Sequence, residues 1–422
     1  MFGNKKSYNK YDIYVFLLIT SLVAGCLFGA FQLPRVFTFL FLIPNIDVLS
    51  AAFKKIRNVA VVLLLFILFS FVSSFWNPAG IGEGLVSSIY NLVHVLLFLE
   101  IVLFSGKAKD PFKAIISGFL VAFSISAIIA SWELATDHHL SLSKKDEARV
   151  SNTGVEVFLR YFASVTFYNA NTYVIFLCYL LPFLFYGFSN IRYGKITNFI
   201  YIVASVAAIV IALMNGSRGG ALSIAIMIMV FIFFYLFQRK GSSFQRKRSS
   251  LYVLLFILAI SFVLVKYGSV ILNTLIMRAT LDRAVEEESR FSVWLRVLIV
   301  AREYLFFGCG ANGLGYAMMK NSPAEIIQVA HNIFLEILSE YGLYFLTMFL
   351  VFLLKIYKKA KSLTDNYRKM CLYQSLFAFP VIGIINSGYV TLPMFWAFLA
   401  SIYVFAYYEQ IRPINKNIRR AA

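Results

Sequence analysis

Charge is scarce in this chain, and acidic charge is scarcer. Of 422 residues only 14% are charged, and 20 Asp and Glu stand against 39 Lys and Arg. Ordinary soluble domains carry roughly a quarter charged residues. With 60% of the chain hydrophobic, 44 Phe and 25 Tyr, a soluble fold has too little surface to hide the apolar atoms. A disordered chain is excluded on the same ground. Cysteine is also sparse. Three of the four, Cys26, Cys178, Cys309 and Cys371, lie in apolar runs, where a thiol acts as a small hydrophobe. No CxxC spacing points to a metal site or a disulfide framework. No Walker-type phosphate loop and no internal repeat is found. The first apolar run lacks a small-residue cleavage site and more apolar runs follow, so no cleavable signal peptide is expected.

What the chain has in abundance is apolar runs about as long as a bilayer-crossing helix, which needs ~20 residues for a ~30 Å hydrocarbon core. Twelve are expected, at about 13–30, 35–50, 59–75, 85–104, 112–132, 168–188, 198–214, 219–237, 250–266, 331–354, 370–387 and 390–408. The second is the weakest, holding Pro44 and Asp47. The expected fold is an all-α polytopic membrane protein of about twelve transmembrane helices, one integral membrane domain over 1–422. Two long outer connections are expected, 133–167 and a larger one, 267–330, before the tenth helix.

The net charge of +19 would suggest nucleic acid on a soluble chain. Here its placement argues otherwise. One alternate set of connections, including Lys54, Lys55 and Arg57, Arg246 to Arg248, and Lys355 to Lys361, holds 26 basic residues and four acids. The other set holds twelve of each. The basic side reads as cytoplasmic, with both termini there and the long loops outside. No nucleic-acid partner is expected.

Four outer segments carry residues suited to chemistry. Asn215-Gly216-Ser217-Arg218-Gly219-Gly220-Ala221 is a tight turn, whose glycines permit close backbone approach. Its arginine offers a fork of donors that matches phosphate oxygens, or snorkels at a helix end. The segment from Arg290 to Tyr304 has a helical pattern, with Trp294, Val297 and Leu298 on one face, and reads as an amphipathic helix at the membrane surface. Glu286 to Glu288 beside it fan out around an axis and read as partners for arginines, not a metal site. His331-Asn332 opens the tenth run, and a neutral imidazole suits a general base. Asn332, Glu336 and Glu340 form a polar stripe, in which the glutamates read as structural hydrogen-bonding groups. Arg160 precedes Asn169-Ala170-Asn171, a helix start whose asparagines either cap the helix or bind a sugar. The adjacent His138 and His139 point apart and make a poor metal pair. His94 and Glu100 are buried polar groups with no partner legible in the sequence.

Ser217-Arg218-Gly219-Gly220, then Arg290 with Trp294, then His331-Asn332 with Leu335, Glu340 and Gly342, in this order, resemble the O-antigen polymerase and O-antigen ligase family. Arg160 with Asn169 and Asn171 resembles the family's upstream Arg and Asn-Pro-Asn element, with Ala170 in place of the proline. The family's Gly-x-x-Gly ending is only half present, since Phe345 follows Gly342-Leu343-Tyr344. The resemblance covers about 155–345 in motif order.

The resemblance implies a glycosyltransferase on the outer face of the bacterial inner membrane that needs no metal and no cofactor. The donor it implies is a glycan on undecaprenyl diphosphate, and the acceptor a glycan on a lipid carrier or on lipid A-core. A chain-length regulator protein is among the partners it implies. Arg218 and Arg290 would neutralise the leaving diphosphate, and His331 would take the proton of the acceptor hydroxyl, with inversion at the anomeric carbon. Arg160, Asn171, Asn332 and Arg296 would line the substrate site. Polymerase is the reading carried forward, with ligase as the alternative. A lipid-oligosaccharide flippase, or a non-catalytic scaffold, is the reading from another class. Reporter fusions check the orientation: one after residue 245 should read cytoplasmic and one after residue 280 outside, and the reverse pattern would invert the topology.

Overall fold

The computed structural model describes residues 8–47, 55–136, 138–140, 162–167, 169–190, 194–237, 256, 258, 261, 265–266, 268–269, 272, 290–320 and 329–412. Among them all regular structure is helical. Seven helices are long and apolar enough to cross a membrane: Arg57–Trp76, Ile81–Lys107, Pro111–Thr136, Ala170–Ser189, Lys195–Met214, Arg218–Leu236 and Ile333–Ser362. The chain is therefore a polytopic α-helical membrane protein. We label its α-helices α1 (Lys10–Thr20), α2 (Leu33–Leu42), α3 (Arg57–Ser73), α4 (Ile81–Lys107), α5 (Pro111–Thr136), α6 (Ala170–Ser189), α7 (Lys195–Met214) and α8 (Arg218–Phe237). Then come α9 (Arg290–Glu303), α10 (Leu314–Lys320), α11 (Ile333–Ser362), α12 (Asn366–Ile382) and α13 (Pro393–Ile411).

Among the described residues these are seven of the twelve spans expected, and the remaining runs differ from one another. The first two are short: α1 decays into a 3-10 turn ending at Ala24, and the second run makes only a short apolar helix, Leu33–Asn45. The ninth, 250–266, lies largely outside the described residues. The last two are helical in place as α12 and α13. The loop 133–167 begins later than expected, because α5 continues to Thr136.

The helix ends sort into two levels. At the basic end, Asn9 Nδ2 donates to the Lys107 carbonyl, Asp12 accepts the amides of Lys109 and Asp110, and Lys55 Nζ donates to the Ile411 carbonyl. At the other end, Asn215 clamps Ala163 through both backbone groups, and Cys26 donates its amide to Thr166. Short as it is, α2 runs between these levels: Arg35 near its start reaches Thr391, and Phe41 stacks on Tyr14, itself against Phe104. A buried guanidinium in such a helix needs partners. Arg35 donates Nε to His94 Nε2 at 3.1 Å and lies 4.0 Å above the Tyr90 ring. This is the partner of His94 that the sequence did not disclose.

The centre of the bundle is α6, apolar on all sides and buried along its length, as a helix without a polar face must be. Aromatic rings fill its surroundings, Phe183 on Phe119 at 4.7 Å and Tyr179 on Phe398 at 4.3 Å. Outside this core, α9, α10 and residues 304–312 form a smaller one around Val297, Val300, Leu314 and Met318.

The two cores are joined at a break in α11. Gly342 has φ +85°, and a Cβ there would collide with the carbonyls of Phe306 and Phe307. Into the break run three backbone bonds: Cys309 to Ser339, Gly310 to Glu340 and Leu343 to Phe306. Position 345 needs no glycine, since Phe345 is helical and packs on Phe66 and Phe69. The missing second glycine of the family pattern thus leaves the break intact. Gly342→Ala should destabilise the protein by roughly 1–3 kcal/mol, the cost of a non-glycine side chain held in a sparse backbone region. An unchanged melting temperature in detergent would contradict this account.

Candidate active site

The expected site residues come from four separated segments, and a fifth gathers them. This is the connection between α12 and α13, from Gly383 to Leu392. Tyr389 fixes its shape, with a hydroxyl that donates to the Ile382 carbonyl and accepts the Asn386 amide. Glu336 fixes its level. One carboxylate oxygen accepts from Gly388 N at 2.9 Å and the other from Val390 N at 3.3 Å. Glu340 holds the opposite loop in the same way, through the Asn312 amide at 3.1 Å. Both glutamates of the polar stripe therefore bond loop backbones, the structural reading made of them from the sequence.

His331 is seated on this connection by its backbone. Its amide donates to Ser387 Oγ, and the amide of Ile333 donates to the Gly383 carbonyl. These bonds hold His331 at φ +47°, a region non-glycine residues seldom occupy. Its ring is partly buried, and among the described residues none hydrogen-bonds Nδ1. Burial, and after it the charge of Arg290, lowers the pKa of His331 from 6.5 to about 4. The ring is thus neutral through the physiological range.

Arg290 opens α9 and is exposed, donating Nη1 to the Ile384 carbonyl at 3.1 Å. Trp294 ties the same helix to the residue before His331, through Nε1 to the Ala330 carbonyl at 2.9 Å. The helical pattern expected over 290–304 is present. Its burial differs in one respect: Val297 is buried and Trp294 half-buried, but Leu298 is exposed with Phe291, Leu295 and Ile299. Arg296 is half-buried in this helix and Arg302 exposed.

Arg218 is exposed at the first position of α8, which Ser217 caps by accepting the Gly220 amide. The two glycines beside it serve close packing. A Cβ on Gly219 would meet Ile385 Cγ1 at 2.7 Å, and one on Gly220 would collide with Val174 of α6. Arg218 therefore follows the gathering connection through its neighbour. Asn169 caps α6 by accepting the Thr172 amide, and Asn386 donates to Thr172 Oγ1 at 2.8 Å. Asn171 is half-buried in the first turn of α6. Ala170 is the first residue of that helix, where proline is favoured but not required, so its replacement leaves the cap in place. Asn332 caps α11, its Oδ1 accepting the amides of Phe334 and Leu335.

The structure thus brings Arg290, His331, Arg218 and the start of α6 to one connection. Arg160 and Glu286 to Glu288 lie outside the described residues. His139 is elsewhere, 3.6 Å from Glu133, whose other oxygen accepts the amides of Ser164 and Val165. Missed from the sequence were Asn386, Ser387 and the carbonyl of Ile384. The only available signal was an apolar run interrupted by Asn386-Ser387-Gly388 and Thr391-Leu392-Pro393.

The arrangement offers a fixed guanidinium beside a neutral imidazole, with two further polar side chains, Asn386 and Ser387, on one backbone turn. That set can neutralise an anion and accept a proton within one site. An NMR titration of the His331 ring should give a pKa near 4, and Arg290→Gln should raise it while leaving it below 6.5, since burial remains. A wild-type value of 6.5 or higher would contradict the burial.

Residues 203–354 match the family model described as O-Antigen ligase. The matched segment contains Arg218, Arg290, His331 and Gly342, and it bears out the resemblance to the O-antigen polymerase and ligase family. No curated protein matches the chain.

Proposed function

We propose, from the O-antigen ligase-type domain that this chain carries across residues 203–354, that it transfers a glycan from undecaprenyl diphosphate to a sugar hydroxyl. The observation that carries the reading is the seating of Arg290 and His331 on the same short connection, at Ile384 and Ser387. A site with arginines suits a diphosphate leaving group, whose charge grows as the glycosidic bond breaks.

The steps balance without a nucleotide. The acceptor oxygen attacks the anomeric carbon from the side opposite the diphosphate. The carbon–oxygen bond to the diphosphate breaks, and the lipid diphosphate leaves with the electron pair. Arg290 and Arg218 hold its oxygens. The hydroxyl proton passes to His331. A ring of low pKa is a weak base in the ground state, so it takes the proton late, when the attacking oxygen already carries positive charge. Opposite-side attack inverts the anomeric centre. No divalent metal is assigned a role. Arg296, Asn171, Asn332 and Arg160 are the further groups we assign to the substrate wall.

The acceptor we favour is a second lipid-linked repeat unit, which makes the protein a polymerase. A ligase that transfers to lipid A-core is the second reading, favoured by the description of the matched domain. In either case we place the site on the outer face of the inner membrane, with the basic end and both termini in the cytoplasm.

His331→Ala should lower transfer on purified lipid-linked donor by about 100-fold or more, the range for loss of a proton acceptor, at unchanged expression. Full activity would remove His331 from the reaction. With lipid-linked repeat units alone, a ladder of longer lipid-linked chains is the expected product. No product until lipid A-core is added would assign the ligase instead.

A further inference from the structure

Both oxygens of Glu336 accept, so this carboxylate meets amides of the Gly383–Leu392 connection and leaves its carbonyls to other groups. Three of those carbonyls are met at the end that enters α13. The Gly388 carbonyl accepts Thr391 Oγ1 at 2.8 Å, and the Val390 carbonyl accepts Trp396 Nε1 at 2.7 Å. The Thr391 carbonyl accepts Arg35 Nη2 at 3.4 Å. The first two donors are local. Arg35 comes from α2, 356 residues away in the chain, and is only 8% exposed. An arginine inside an apolar bundle is expensive, and such residues commonly mark function.

The partners of Arg35 lie on three elements. Nη1 donates to the Ala30 carbonyl at 3.1 Å in the turn before α2, Nε to His94 of α4, and Nη2 to Thr391. The Tyr90 ring, one helical turn before His94, covers the guanidinium. A planar fork with donors in fixed directions serves three acceptors at once, which an ammonium on a flexible stem does not reproduce. His94 keeps the fork aligned. An arginine Nε–H can only donate, so His94 Nε2 is bare and the ring is neutral, with its hydrogen on Nδ1. A glutamine at this position could offer an amide oxygen to the same Nε; a leucine could not.

From this fork a short path leads to His331. Arg35 holds the Thr391 carbonyl, and Thr391 Oγ1 closes on the Gly388 carbonyl. Gly388 follows Ser387, whose Oγ accepts the His331 amide. Glu336 holds the same Gly388 by its amide. The connection is thus fixed between an acceptor on α11 and a donor on α2.

We infer that Arg35, kept in line by His94, is a positioning residue for the candidate site: it sets where the Gly383–Leu392 connection stands and hence where His331 is held. It acts through Thr391 and not on the substrate. The inference rests on the role proposed above for His331.

The test uses Arg35→Lys, His94→Leu, His94→Gln and Thr391→Val in the full chain, with activity counted per folded molecule. Arg35→Lys, His94→Leu and Thr391→Val should each lower kcat on lipid-linked donor about tenfold and leave its KM within about twofold, a loss of alignment and not of binding. His94→Gln should stay within about threefold of wild type in kcat, since the acceptor for Nε is kept. A second readout needs no turnover. The His331 ring should titrate above about 4 in Arg35→Lys and in Thr391→Val, as a loosened seat lets water reach it, and near 4 in His94→Gln. Lower melting temperatures with an unchanged kcat per folded molecule and an unchanged His331 titration would make Arg35 a packing residue and overturn the inference. His94→Gln as damaging as His94→Leu would overturn it too. Should Arg35→Lys fail to fold, Thr391→Val, which removes one hydroxyl, decides by the same two readouts. If the wild type transfers no glycan, the proposed reaction falls, and the His331 titrations alone decide the positioning role.

Discussion

A single carboxylate sets the level of everything at the candidate site. Glu336 is buried in a helix that crosses the apolar bundle, where an unpaired charge or an unpaired amide would each cost several kcal/mol. Its two oxygens accept the amides of Gly388 and Val390, so the carboxylate and the non-helical backbone satisfy each other. Irregular backbone at membrane depth is tolerated only where protein groups meet its hydrogen bonds. Remove the carboxylate and the Gly383–Leu392 connection loses its seat, and with it the carbonyl that Arg290 meets and the hydroxyl that His331 meets.

The architecture then separates two kinds of work. The arginines and the histidine come from segments that reach the connection from one level of the bundle. Their own caps and glycines are spent on packing: Ser217 on α8, Asn332 on α11, Asn169 on α6, Gly219 against Ile385. Little of each motif is left over for a ligand. That is why short motifs with several fixed positions reduce to so few reactive groups.

Much of this was legible in the sequence because it is local. Among the described residues most of the apolar runs gave helices, and the order Arg218, Arg290, His331 marked the segments that do converge. The structural role of Glu336 and Glu340 followed from the cost of burying them. What stayed hidden depends on distant pairing. The Gly383–Leu392 connection reads as a weak break between two apolar runs, and nothing in it announces that four other segments bond to it. The pairing of Arg35 with His94 stayed hidden for the same reason, since fifty-nine residues separate them.

The break at Gly342 also has a mechanical meaning. Three backbone bonds fasten residues 306–310 to the rungs of α11 on either side of the break, so the far end of α9 is a fulcrum set into the membrane helix. Displacement about a fulcrum grows with distance from it. The fourteen residues of α9 separate these bonds from Arg290. The guanidinium is therefore held at the end of α9 remote from the break, by the Ile384 carbonyl, with Trp294 tied to Ala330 partway along.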